Sequence, residues 1–228
     1  MPLSNQPNAT IGMQHTESGQ LLEILLRPMT RTYVEWGSGG STDLISTLIL
    51  ARKLHPGFRA FSIESSLSWI QRMRTRSPLI WEAEQTGHLV FVHGSLGPTK
   101  FLGYPRDFNS SDHARSRNYV SLPDKLRGRR VDVALVDGRF RLACALEVYK
   151  HLTPVEKGHR PVVLLHDYAI VRPGLTRQRF EHNSRVLEFY HLRQRNYTLA
   201  TLSPKRCSDI SLASLENALE AALGRPDR

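Results

Sequence analysis

The sequence predicts an α/β fold: a doubly wound, mostly parallel sheet of about seven strands with helices on both faces. Three observations carry this. Segments of strand character alternate with segments of helical period along most of the chain, the pattern that crossover connections in a parallel sheet produce. The stretches Val131-Asp132-Val133-Ala134-Leu135-Val136 and Pro161-Val162-Val163-Leu164-Leu165 are almost continuously apolar, as strands covered on both faces must be. The strand candidates end on polar groups: Glu35, Glu64, His93, Asp137 and the His166-Asp167 pair. In open sheets of this kind a ligand sits beyond the carboxyl ends of the strands, where strand order reverses. These tips are therefore expected to line one site.

Each element has its own justification. Residues 1–15 are polar and read as a loose tail, and 16–228 as a single domain. Leu21-Leu22 and Leu25-Leu26 lie at helical spacing, which predicts an amphipathic helix over 16–27 stopped by Pro28. A strand through Tyr33-Val34-Glu35 runs into the turn Gly37-Ser38-Gly39-Gly40. A helix is expected to follow over 43–54, with Leu44, Leu48 and Ala51 as its stripe. The second strand covers 58–64, and Ser65-Ser66 can cap the next helix, over 67–76. A helical piece near 79–85 and a strand over 88–93 come next. Residues 95–118 show no clear regular structure and form a long basic loop, of a length that is usually functional or mobile. A helix over 139–152 links the two apolar strands, residues 185–202 suggest a hairpin or a helix-then-strand pair, and an amphipathic helix closes the chain before Gly224.

Composition narrows the class. In 228 residues, 40% are hydrophobic and 8% aromatic, enough for one well-cored domain. No run is long and apolar enough to span a bilayer. The N-terminus lacks a basic-then-apolar signal pattern, so a cytoplasmic location is expected. Cys144 and Cys207 have no metal-ligand spacing and are expected to be reduced thiols. A formal charge of +10 favours anionic partners, nucleic acid included.

The glycine turn carries most of the chemistry. Glycines let the backbone approach a ligand closely, and the helix behind them aims unpaired N–H groups at the same place. With Glu35, Gly37 and Gly39, the segment resembles the cofactor loop of class I S-adenosylmethionine (SAM)-dependent methyltransferases, acid-x-Gly-x-Gly-x-Gly, with Ser41 at the third glycine position. Thr42 occupies the place of the last glycine in a dinucleotide fingerprint, which disfavours a nicotinamide-dependent oxidoreductase. The ordered set Val136-Asp137-Gly138-Arg139-Phe140-Arg141 and Leu165-His166-Asp167-Tyr168 is similar to the small-molecule and sugar O-methyltransferases of that Rossmann-like class. The resemblance spans roughly 32–168.

The resemblance implies SAM as cofactor, held by Glu35, Gly37, Ser38, Gly39, Gly40, Ser41, Thr42, Glu64, Ser65, His93, Gly94 and Asp137. Glu64, at a second-strand tip, suits the two hydroxyls of a ribose. The catalytic candidates are His166 as base, Asp137, Tyr168 to orient an acceptor, and Arg141. Arg139 and Arg141 could clamp a carboxylate or phosphate, so O-methylation of a small or anionic acceptor is expected. Metal-dependent members of the group hold Mg²⁺ on carboxylates at the positions of Asp137 and Asp167; the neighbouring arginines oppose a divalent ion here, so Mg²⁺ is possible but not favoured. An alternative is a methyltransferase-like module without catalysis. It would bind nucleic acid or a protein through two basic sets, Lys100 to Arg130 and Arg172 to Arg195.

Overall fold

The computed structural model describes residues 15–100, 103–109, 113–126, 129–152, 160–168, 183–196 and 198–225. The predicted tail, apart from His15, lies outside them, as do Arg127, Arg172, Arg177 and Arg179. Seven strands form one sheet: β1 (Thr32–Trp36), β2 (Arg59–Glu64), β3 (Leu89–His93), β4 (Val133–Val136), β5 (Val162–Leu165), β6 (Tyr190–Asn196) and β7 (Leu199–Pro204). Their order is β3-β2-β1-β4-β5-β7-β6. The pairs β1–β2, β2–β3, β1–β4 and β4–β5 are parallel, whereas β7 runs antiparallel to both β5 and β6. Strand order reverses between β1 and β4, which locates the expected ligand crevice.

Strand alternation sorts the core into two layers. Val34, Trp36, Ala134, Val136, Val163 and Leu165 face one cluster, packed under α5 (His113–Val120), α6 (Arg141–Tyr149) and α7 (Leu212–Leu223). Tyr33, Val133, Leu135, Val162 and Leu164 face the other. That side is covered by α1 (His15–Leu25), α2 (Gly40–Leu50), α3 (Leu67–Arg76) and α4 (Pro78–Gln85). The period of two in β1 decides where Glu35 goes: it shares the α2 side with Tyr33. Among the described residues no helix is long and apolar enough to cross a membrane.

Two expectations need correction, and one left open is decided. The stretch over 95–118 is not wholly irregular, because α5 begins at His113. Its segment, His-Ala-Arg-Ser-Arg-Asn-Tyr-Val, has no apolar period; burial of Ser116, Tyr119 and Val120 against the sheet, not local pattern, defines it. Helix α2 starts at Gly40, three residues early, since Thr42 Oγ1 accepts from Gly39 N at 3.0 Å and closes the first turn. It stops before Arg52, whose φ of 53° leaves helical geometry. The 185–202 region resolves into a short 3₁₀ turn, Arg185–Glu188, and the β6–β7 hairpin.

Candidate active site

The strand tips converge as direct contacts. Gly37, at φ 92°, turns the chain out of β1, and its N–H donates to Ile63 O of β2 at 2.9 Å. A Cβ at Gly37 would stand 2.9 Å from Gly138 N and 3.0 Å from Gly138 Cα, so the turns after β1 and β4 touch backbone to backbone. Gly37 therefore needs glycine twice, for its φ and for this approach. Gly39, at φ 178°, has extended backbone.

On the β2 side, Glu64 closes the glycine turn. Its carboxylate accepts from Ser38 N at 3.2 Å and Ser38 Oγ at 2.9 Å. Ser65 Oγ at 3.1 Å and Ser66 N at 3.0 Å donate to its other oxygen. Trp69 Nε1 of α3 donates to Ser38 O at 3.0 Å, which locks the turn from the α3 side. His93 is exposed at the tip of β3, with Nε2 3.2 Å from Ser65 O. Gly94 is buried because α5 crosses there: a Cβ would meet Tyr119 Cα at 2.9 Å.

Glu35, Ser41 and Thr42 do not line this space. The Glu35 side chain is buried and accepts from Tyr33 Oη at 2.9 Å, Ser41 Oγ at 2.7 Å and Thr42 Oγ1. Burial pushes its carboxyl above the usual range, opposed by these hydroxyl bonds. The acid thus pins the first turn of α2 to β1. The serine at the third glycine position supplies one of the pins.

On the β4–β5 side lies a cluster of five charged groups. His166 Nδ1 is 2.8 Å from Asp137 Oδ1 and 3.6 Å from Asp167 Oδ1. Arg141 Nη2 is 2.9 Å from Asp167 Oδ2 and 3.7 Å from Asp137 Oδ1. His166 Nε2 is 3.4 Å from Glu17 Oε2 of α1, and Glu17 Oε1 accepts from Thr198 N at 3.1 Å and Thr198 Oγ1 at 2.7 Å. Burial alone would depress the His166 pKa. The close Asp137 carboxylate at Nδ1 and the charges of Asp167 and Glu17 outweigh it and raise the value to about 9. Two of the three non-glycine residues with positive φ among the described residues sit here, Phe140 at 56° and Asp167 at 54°. Such strain persists where surrounding structure over-determines it, commonly at functional sites.

This geometry revises several expected roles. Carboxylates facing both ring nitrogens favour the imidazolium form of His166, which has no lone pair with which to act as base. Tyr168 is 3% exposed and belongs to the core, so it does not orient an acceptor. Arg141 (2%) and Arg139 (8%) do not present a clamp to solvent; Arg139 lies over the Tyr104 ring at 5.2 Å. Asp137, His166 and Asp167 bring ligand atoms within 4.8 Å of one another, yet the set does not fit Mg²⁺. A hard cation wants free carboxylate and water oxygens, whereas here each carboxylate already faces two cationic side chains.

Sequence reasoning missed Glu17 and Tyr119. Glu17 is fully buried four residues before Leu21, so an acid on the apolar stripe of α1 was its available signal. Tyr119 fills the floor under Gly138, where a Cβ would sit 1.9 Å from its hydroxyl. Gly138→Ala is expected to cost on the order of 2 kcal/mol by overpacking. In a Tyr119→Phe background the cost should fall by at least half; urea titrations of the four proteins measure this coupling, and additive losses would refute the clash.

No family model and no curated protein matches the chain. Solved structures do. A methyltransferase-like protein from Silicibacter pomeroyi is 25% identical, with 93% of this chain and 96% of that one covered and a TM-score of 0.67. A protein described as an O-methyltransferase from Klebsiella pneumoniae shares 12% identity over 86% of this chain and 83% of that one, at a TM-score of 0.52. The strand order, the glycine turn at its reversal point and these likenesses identify the chain as one with the class I SAM-dependent methyltransferase fold.

Proposed function

We propose that this protein transfers a methyl group from SAM to an oxygen of a small acceptor. The observation that carries the reading is the union of Glu64 with the glycine turn at the point where strand order reverses. The two Glu64 oxygens, now held by Ser38, Ser65 and Ser66, are placed to receive the ribose hydroxyls of an adenosine. The N-terminus of α2 and the backbone of Gly39 and Gly40 flank the same space. Asp137 (26%) and Asp167 (21%) keep side-chain surface open, while His166, Arg141 and Glu17 lie behind them. The acceptor belongs against that pair.

The donor is already activated, so positioning supplies most of the rate. The acceptor oxygen attacks the methyl carbon in line with sulfur, the C–S bond breaks, and its electron pair leaves with the neutral thioether. The hydroxyl proton departs to Asp137 or Asp167, the carboxylates on the acceptor side. Calorimetric titration tests the cofactor. SAM and its demethylated product should bind saturably and NAD should not, and Glu64→Ala should weaken SAM at least about tenfold, the loss of two hydrogen bonds to a charged group, in addition to the stability lost with its bonds to Ser38, Ser65 and Ser66. Absence of SAM binding, or tighter NAD binding, would sink the reading.

A further inference from the structure

We propose that His166 and Arg141 are resident cations: they bridge the Asp137–Asp167 pair as a divalent metal would, and Glu17 of the N-terminal helix holds the imidazolium in place. The role of the site rests on the methyltransferase reading; the bridging does not. One atom of each cation reaches both carboxylates. Arg141 Nη2 lies 2.9 Å from Asp167 and 3.7 Å from Asp137, and His166 Nδ1 lies 2.8 Å from Asp137 and 3.6 Å from Asp167. A metal ion between two acids does the same two things, cancelling their repulsion and fixing their spacing. Here a side chain from the turn after β5 and one from α6 do both.

The layering supports this. Arg141, on the wholly buried α6, is 2% exposed, and the His166 side chain 10%. The cations sit beneath the acids, leaving the carboxylates turned to the crevice. Glu17 completes the arrangement from the far side of the imidazole, and its second oxygen is committed to Thr198 in the β6–β7 turn. Gln20, one turn along α1, also bonds Thr201 of β7. Helix α1 is therefore part of the site, joined to it by a side-chain bond as well as by its apolar stripe. Among the described residues, the charged groups facing the imidazole are Glu17 from α1, Asp137 after β4 and Asp167 after β5, with Arg141 behind the two aspartates. Three carboxylates against two cations leave a formal −1, too little to draw Mg²⁺ through bound guanidinium and imidazolium.

The test uses the full chain and two probes. In Mn²⁺ titrations followed by electron paramagnetic resonance, wild type should show no saturable binding to about 1 mM, and Arg141→Met should bind at least about tenfold more tightly as its carboxylates are released. Adding Asp167→Asn to Arg141→Met should abolish that gain. Nitrogen-15 spectra of the histidine rings, with His166 assigned from the His166→Gln protein, should show both ring nitrogens protonated near pH 7.5. Glu17→Gln should shift His166 toward its neutral form, an effect that a purely structural contact would not produce. Saturable Mn²⁺ binding by wild type that Asp167→Asn removes, or a neutral His166 ring in wild type, would overturn the proposal. If Arg141→Met does not fold, the wild-type ring spectrum and Glu17→Gln still decide it. Failure of SAM to bind would remove the methyltransferase reading while leaving both measurements interpretable.

Discussion

Glu35→Ala is expected to lower stability by about 3 to 5 kcal/mol, the range for removing one partner of a buried charged network. The carboxylate is the shared acceptor of three hydroxyls, Tyr33 and Ser41 on one oxygen and Thr42 on the other. Its removal leaves those donors in a dry place, with Tyr33 at 0% and Thr42 at 0% exposure, and each unpaired donor costs about 1 to 3 kcal/mol. It also frees the first turn of α2, so ligand binding should weaken as a consequence of loosening. Glu35→Gln keeps one acceptor oxygen and should lose about half as much. Denaturant midpoints at constant slope measure the effect. The contrast with Glu64→Ala lies in the ligand: both acids hold buried hydrogen bonds, and only Glu64 is expected to meet SAM directly. An unchanged midpoint for Glu35→Ala would mean that the acid faces the ligand after all.

That contrast shows which parts of the site were legible in the sequence. The alternation of strands and helices announced the parallel sheet, and the polar strand tips announced where a ligand would sit. Ser38 meets Glu64 because Ser38 lies two residues past β1 and Glu64 ends the neighbouring β2, a relation that follows from the strand assignments. What escaped was direction. Glu35 and Glu64 look alike in the chain, each an acid at or near a strand end. The two-residue period turns Glu35 under α2, while Glu64, last in its strand, reaches the turn. The arginines of the Asp137–Arg141 segment escaped for a related reason. Arg141 is the first residue of a helix that is buried all round, so it points to Asp167 and not to an acceptor. Glu17 lies 149 residues from His166, and no local pattern encodes a pairing at that range.

Stability should fall as pH rises from about 6.5 to about 9, with the His166 imidazolium as the cause. Its folded pKa is raised to about 9, whereas an unfolded histidine titrates near 6.5. Below the unfolded value both states carry the proton and the full stabilisation is present. Between the two values the unfolded chain has released the proton and the folded chain still binds it, so each unit of pH removes up to about 1.4 kcal/mol. Above about 9 the folded state releases it too, and the loss levels off at roughly 3 kcal/mol. Tyr33, Tyr119 and Tyr190 are pushed well above their usual value by burial, so their contributions begin beyond this window. Other titrations cancel when wild type is compared with His166→Gln across the same buffers. The variant is expected to be weaker near neutral pH and to lose the extra slope. Parallel stability curves for the two proteins would mean that the folded ring is neutral. The carboxylates of Asp137, Asp167 and Glu17 would then repel one another with only Arg141 to hold them, an arrangement at odds with their close spacing.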